Sequence, residues 1–142
     1  MKKIFLLIFF FITISLTSNA QSIIGKWYSF DRFNQKETIV EVYKVNNKFY
    51  AKIDSILQIE DIGKVCDKCT GKNKNKLIEG MIVMEDIKKD GNEWNDGKIL
   101  DPVNGKYYKC YITLEDNNKL KLRGYIGFSL FGRTQYFERV VN

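Results

Sequence analysis

Cys66 and Cys69 stand in the tract KVCDKCTGKNKNK, residues 64 to 76. Their Cys-x-x-Cys spacing serves dithiol redox enzymes, zinc sites and short disulfides alike. A redox pair needs a helix start after a strand, where the helix terminus lowers a thiol pKa, and no such unit is legible here. Zinc asks for four ligands, usually Cys or His. The chain holds no histidine, and its one other cysteine is Cys110. A local disulfide between Cys66 and Cys69 in an oxidising compartment is the expected state. A bridge from Cys110 to either of them is the rival. Otherwise Cys110 reads as a small buried hydrophobe.

Lack of histidine also removes the usual hydrolytic triads and leaves acid or base work to carboxylates, lysines and tyrosines. Beyond residue 20 the serines are Ser22, Ser29, Ser55 and Ser129, none in a nucleophile elbow. Glu93, Asp96 and Asp101 surround Trp94, and a glycosidase could use two of them. Acidic residues beside Gly and Asn more commonly mark solvated turns. No catalytic residue, metal or cofactor is expected, and the chain reads as a protein other than an enzyme. Lys64, Lys68, Lys72, Lys74 and Lys76 face one acid, Asp67, in the cysteine tract. Such a run is commonly a solvated face, and its functional reading is contact with an anionic envelope surface.

The chain opens MKKIFLLIFFFITISLTSNA: two lysines, an apolar run from Ile4 to Ile12, then small residues before Ala20. That is the pattern of a cleaved signal peptide over residues 1–20. Nine apolar residues at a rise of about 1.5 Å cover roughly half of a hydrocarbon core, so no transmembrane anchor is expected after cleavage. The expected location is the periplasm or the exterior. Taking 20 from 142 leaves 122 residues, 21–142, enough for one domain. Loss of Lys2 and Lys3 lowers the formal charge from +6 to +4, an ordinary value that gives no argument for nucleic acid.

The elements that must position these residues are strands. Asn46-Asn47, Asp90-Gly91, Asn104-Gly105 and Asn117-Asn118 each separate two strand-like runs and favour tight hairpin turns. Between them the period is two: Tyr108, Cys110, Ile112 and Leu114 alternate with Tyr107, Lys109, Tyr111 and Thr113, and Leu120, Leu122, Gly124 and Ile126 with Lys119, Lys121, Arg123 and Tyr125. Eight runs are predicted, near 23–30, 37–45, 48–56, 77–86, 92–100, 106–114, 119–127 and 133–141. Consecutive hairpins with one buried face leave two raw edges unless the sheet closes. The prediction is therefore all-β: an eight-stranded antiparallel up-and-down barrel, with a two-sheet sandwich as alternative.

Gly25-Lys26-Trp27, GKILDPVNGKYYKC at 97–110 and LRGYIGFSLFGRTQYFERV at 122–140, with the cysteine pair, make the chain resemble the exported bacterial proteins grouped as domain of unknown function 2147. The resemblance spans essentially all of 21–142 and implies a lipocalin-like barrel. Gly25-Lys26-Trp27 also resembles the lipocalin Gly-x-Trp. In lipocalins an arginine of the last strand covers that tryptophan and closes the barrel's base, which nominates Trp27 and Arg139.

These readings lead to an exported barrel binding a small hydrophobic or amphipathic ligand, a lipid or fatty acid. The expected walls are Trp27, Phe49, Ala51, Ile53, Ile82, Met84, Cys110, Ile112, Leu122 and Ile126, with Arg123 and Arg133 for an anionic head. The alternative is a cell-envelope interaction module or inhibitor without a cavity, using the lysine run and the apolar loop around Phe128 to Phe131.

Overall fold

A computed structural model describes residues 20–142. Apart from Ala20, the expected leader lies outside the described residues. The strands are β1 (Gly25–Phe30), β2 (Lys36–Val45), β3 (Lys48–Ile56), β4 (Ile82–Asp90), β5 (Glu93–Asp101), β6 (Lys106–Asp116), β7 (Lys119–Tyr125) and β8 (Gly132–Arg139). They pair antiparallel in chain order and close into one barrel. Closure removes both sheet edges, which is why eight hairpin-linked strands settle here and not in an open sheet.

Turn chemistry fixes one end. Asn46 and Asn47 both take positive φ, 48° and 65°, and Gly91 takes 59°. Asn and Gly tolerate the left-handed region that tight hairpins demand. At the other end the connections are longer: residues 31–35, 57–81, 102–105 and 126–131. The first end is called the base and the second the mouth.

The interior carries Trp27, Val42, Phe49, Ala51, Met84, Ile87, Trp94, Cys110, Ile112, Leu120, Leu122 and Phe137, all buried. Strict alternation alone cannot bring both Met84 and Ile87 to one face, since they are three positions apart. Asp86, at φ 61°, supplies the extra residue of a bulge. A second bulge sets Asn95 and Asp96 (φ 62°) against the single residue Tyr111, since Trp94 pairs with Ile112 and Gly97 with Cys110.

The fourth strand starts at Ile82, five residues later than its sequence pattern suggests. The residues before it pair locally: Val65 bridges Leu77, and Ile78 N–H donates to the Lys64 carbonyl at 3.0 Å. Residues 57–81 thus form an excursion. It builds a second buried cluster of Ile53, Ile56, Cys66, Cys69, Met81, Val83 and Leu100. Val83 and Leu100 adjoin the inward Met84 and Ile99 in sequence, so alternation turns them to the outer face of the wall. The excursion therefore clamps the outside of β4 and β5, and its cluster also takes in Ile53, which stands opposite Val40.

Candidate functional site

At the base, Trp27 is buried and its Nε1–H donates to the Ile23 carbonyl at 2.9 Å. Arg139 lies with its guanidinium carbon 4.1 Å from the indole centroid. Its Nε donates to the Asn117 carbonyl at 2.7 Å, Nη1 to Ile24 at 2.9 Å and Nη2 to Ser22 at 2.8 Å. One planar fork thus ties the chain's entry, the β6–β7 turn and the last strand together. Gly25 takes φ +130°, and a Cβ there would meet Arg139 Nη1 at 2.9 Å, so the close approach needs glycine. The seam that Arg139 secures is short: only Trp27 with Arg139 and Tyr28 with Glu138 pair across β1 and β8. Trp94, near the start of β5 and edge-on to Phe49 at 6.4 Å, has no acceptor for its N–H among the described residues.

Above this plug the interior is almost filled. An apolar void of about 50 Å³ remains between Trp27, Val40, Ala51, Met84, Ile99 and Leu122. An apolar cavity near 150 Å³ holds a benzene-sized guest, so this void alone is too small for one. Toward the mouth, burial falls off on the same inner face. Val40 and Ile99 pack on the core yet are only half-buried. Leu122 pairs with Gln135, and Gly124 pairs both with Cys110 and with Arg133. Directly opposed residues share a face, so Gln135 and Arg133 stand on the inner wall, and both are exposed. Tyr108, opposite Ile99, accepts a hydrogen bond from Asn104 Nδ2 at 2.7 Å. The inside of the barrel therefore grades from apolar and closed to polar and solvated.

The expected wall residues divide accordingly. Trp27, Phe49, Ala51, Met84, Cys110, Ile112 and Leu122 lie in the central core. Ile53, opposite Val40 on the inner face, packs with the second cluster around the disulfide. Ile82 is exposed, because the late start and bulge of β4 give the inward position to Met84. Ile126 is exposed as well, since β7 ends at Tyr125 and the alternation stops with it. Arg123 does not serve the mouth's inner wall. Lying next to inward Leu122, it turns outward and donates to Ser129 O at 2.9 Å, Leu130 O at 3.1 Å and Thr134 Oγ1 at 2.9 Å. Gln135, Val40 and Ile99 are not nominated by the sequence pattern, and Tyr108 is set on the Cys110 face without being named as a wall residue. Gln135 is placed only once the β7–β8 register is known.

Cys66 and Cys69 form a disulfide with Cα atoms 5.3 Å apart. Both are buried. The β5–β6 turn seats directly on this loop, for a Cβ on Gly105 would overlap the Lys68 carbonyl. Cys110 remains a free thiol, and burial pushes its pKa up to about 12, which makes it inert. The carboxylates near Trp94 do not converge on it. Trp94 points inward, while Glu93 and Asp96 line an open outer groove of about 630 Å³ with Asn95, Lys109, Tyr111 and Tyr125. Asp101 stands apart and accepts the Val103 amide at 2.9 Å.

Charge placement adds one feature at the mouth. Burial, with Asp61, Asp31 and Asp101 nearby, raises the Glu37 pKa above the ordinary carboxyl value of 4.5. On β4, hydrogen bonds from Lys48 and Tyr50 hold the Asp86 carboxyl below its ordinary value.

A search of curated proteins finds no match. Among solved structures the chain is similar to a protein from Helicobacter pylori, HP1028, described as belonging to the lipocalin family. The TM-score is 0.74 at 21% identity, over 85% of this chain and 84% of that one. At that identity the likeness speaks for the fold: a lipocalin-like barrel, as the base plug of Trp27 and Arg139 indicates independently. A family model matches residues 25–139, from the first residue of β1 to the last of β8, and the chain belongs to that family, described as "uncharacterized protein conserved in bacteria (DUF2147)".

Proposed function

We propose that this lipocalin-like protein is exported and binds a small apolar or amphipathic molecule at the mouth of its barrel. The observation that carries the reading is the gradient along the inner face, from the sealed core through half-buried Val40 and Ile99 to exposed Gln135 and Arg133. A ligand's apolar part would lie against Val40, Ile99 and Leu122, and an anionic head would meet the Arg133 guanidinium, a fork suited to carboxylate or phosphate. The interior void of about 50 Å³ sets the scale. It admits the end of a chain, not a whole fatty acid, so the ligand sits high in the barrel. A buried disulfide suits an oxidising compartment.

The same small void favours a second reading, an envelope interaction module that encloses nothing. Native mass spectrometry of mature protein from its own export compartment, followed by organic extraction, separates the two. A stoichiometric amphiphile, lost on Leu122→Trp, supports the ligand reading. A clean apo mass, with no displacement of a fluorescent fatty acid in titration, would replace it with the second.

A further inference from the structure

The β7–β8 loop presents Phe128, Leu130 and Phe131 to solvent, and the neighbouring β5–β6 turn presents Val103, each between 71% and 79% exposed. Single exposed apolar residues are ordinary, but four on adjacent tips of one rim are not. Their exposure is built in. Arg123 holds the loop through the Ser129 and Leu130 carbonyls, and the Phe131 amide donates to Phe128 O at 3.0 Å, so the loop is braced by its own hydrogen bonds.

Cations flank these tips. Lys106 opens β6, Arg133 stands just inside β8, and Lys68 lies on the loop that the Gly105 turn touches. All three are exposed, and none has an ion-pair partner among the described residues. Of the acids at the mouth, Asp31 on the β1–β2 loop, Glu37 on β2 and Asp61, paired with Lys64, on the β3–β4 excursion lie across the rim, while Asp101 stands opposite Lys106 on the near side and Asp67 precedes Lys68.

We propose that the β5–β8 side of the mouth docks on an anionic lipid bilayer. Phe128, Leu130, Phe131 and Val103 enter the boundary between headgroups and acyl chains, while Lys68, Lys106 and Arg133 meet lipid phosphates. The barrel is tilted so that Asp31, Glu37 and Asp61 are lifted clear. A protein partner fits this rim less well. A protein interface has a charge-depleted apolar core at its centre, whereas these tips stand apart around a solvated opening with cations between them. A bilayer interface accepts separate tips and long basic side chains together. The docking surface does not require an occupied interior. If the ligand reading holds, it places the mouth where an amphiphile would enter from or leave to the membrane.

The test uses mature chain 21–142 and flotation with vesicles of phosphatidylcholine, alone or with 30% phosphatidylglycerol. The expected result is binding to the anionic vesicles and at least tenfold weaker binding to the neutral ones. F128S/L130S/F131S should lose at least tenfold in partitioning with an unchanged melting temperature. Lys106→Gln should lose roughly fivefold, and Val141→Ser, an apolar exposure in the C-terminal tail, should lose nothing. Absence of binding to anionic vesicles, or wild-type binding by the triple variant, would overturn the proposal. Fatty-acid displacement on the triple variant keeps the two readings distinct, because it leaves Val40, Ile99 and Leu122 intact.

Discussion

The two ends of this barrel are built on opposite terms. At the base, two-residue polar turns join the strands and the buried Trp27 lies under Arg139, whose three nitrogens each meet a backbone carbonyl. At the mouth, four longer connections carry nine of the ten large apolar side chains that are more than half exposed among the described residues. The tenth, Val141, lies in the C-terminal tail. Base side chains serve closure, and mouth side chains are left free to meet something else. Stability and recognition are thus divided along the barrel axis, and each end can be perturbed with limited effect on the other.

The largest effect is expected from emptying the base. Trp27→Ala removes a fully buried indole and should cost about 3–5 kcal/mol in chemical denaturation. Arg139→Ala should cost about 2–3 kcal/mol, since it unpairs three carbonyls and uncovers the indole while the guanidinium was itself partly solvated. Arg139→Lys should recover only part of this, because an ammonium cannot make the three-way fork. A result near zero for both arginine variants would mean that the short β1–β8 seam holds without its clamp.

Next comes the disulfide. The loop it closes is short, and chain entropy gives about 2 kcal/mol for it. Reduction should therefore lower stability modestly while loosening one side of the mouth. The amides of Cys66 and Asn75, bonded within the excursion to Lys76 O and Cys66 O, should lose exchange protection, and amides of β1 and β8 should keep theirs. Uniform loss across the barrel would erase the distinction between the ends.

The smallest effect concerns Glu37. Its folded pKa lies above the ordinary 4.5, so its ionisation opposes folding. That penalty is absent below pH ~4, where the group is protonated in both states, and grows as pH rises through the folded value. Glu37→Gln should thus raise the melting temperature slightly at pH 7 and leave it unchanged at pH 3. A gain that persists at pH 3 would assign the effect to packing.

How far these features are legible in the sequence depends on how local their causes are. Asn46-Asn47 and Asp90-Gly91 announce their turns because the required φ values belong to those residues themselves. The alternation of Cys110 and Ile112 announces an inner face, whereas closure by Trp27 and Arg139 is implied by the resemblance to lipocalins. Bulges are less visible: nothing in the order of Ile82, Val83 and Met84 says that the alternation skips there, so Ile82 reads as inward when Met84 is. The burial of the disulfide depends on Val83 and Leu100 presenting an outward apolar pair, which only the register reveals. Gln135 reads as a solvated residue until its pairing with Leu122 turns it to the inner wall.

The central claim is that the mouth, not the base or the outer groove, is the working end. Its most direct test is an amide correlation spectrum of mature protein titrated with a short-chain fatty acid. The account predicts saturable shifts at Val40, Ile99, Tyr108, Leu122 and Gln135, with Asn46, Asn47, Asn117 and Asn118 unmoved. Shifts confined to the groove of Glu93, Tyr111 and Tyr125, or no saturable shifts at all, would contradict it.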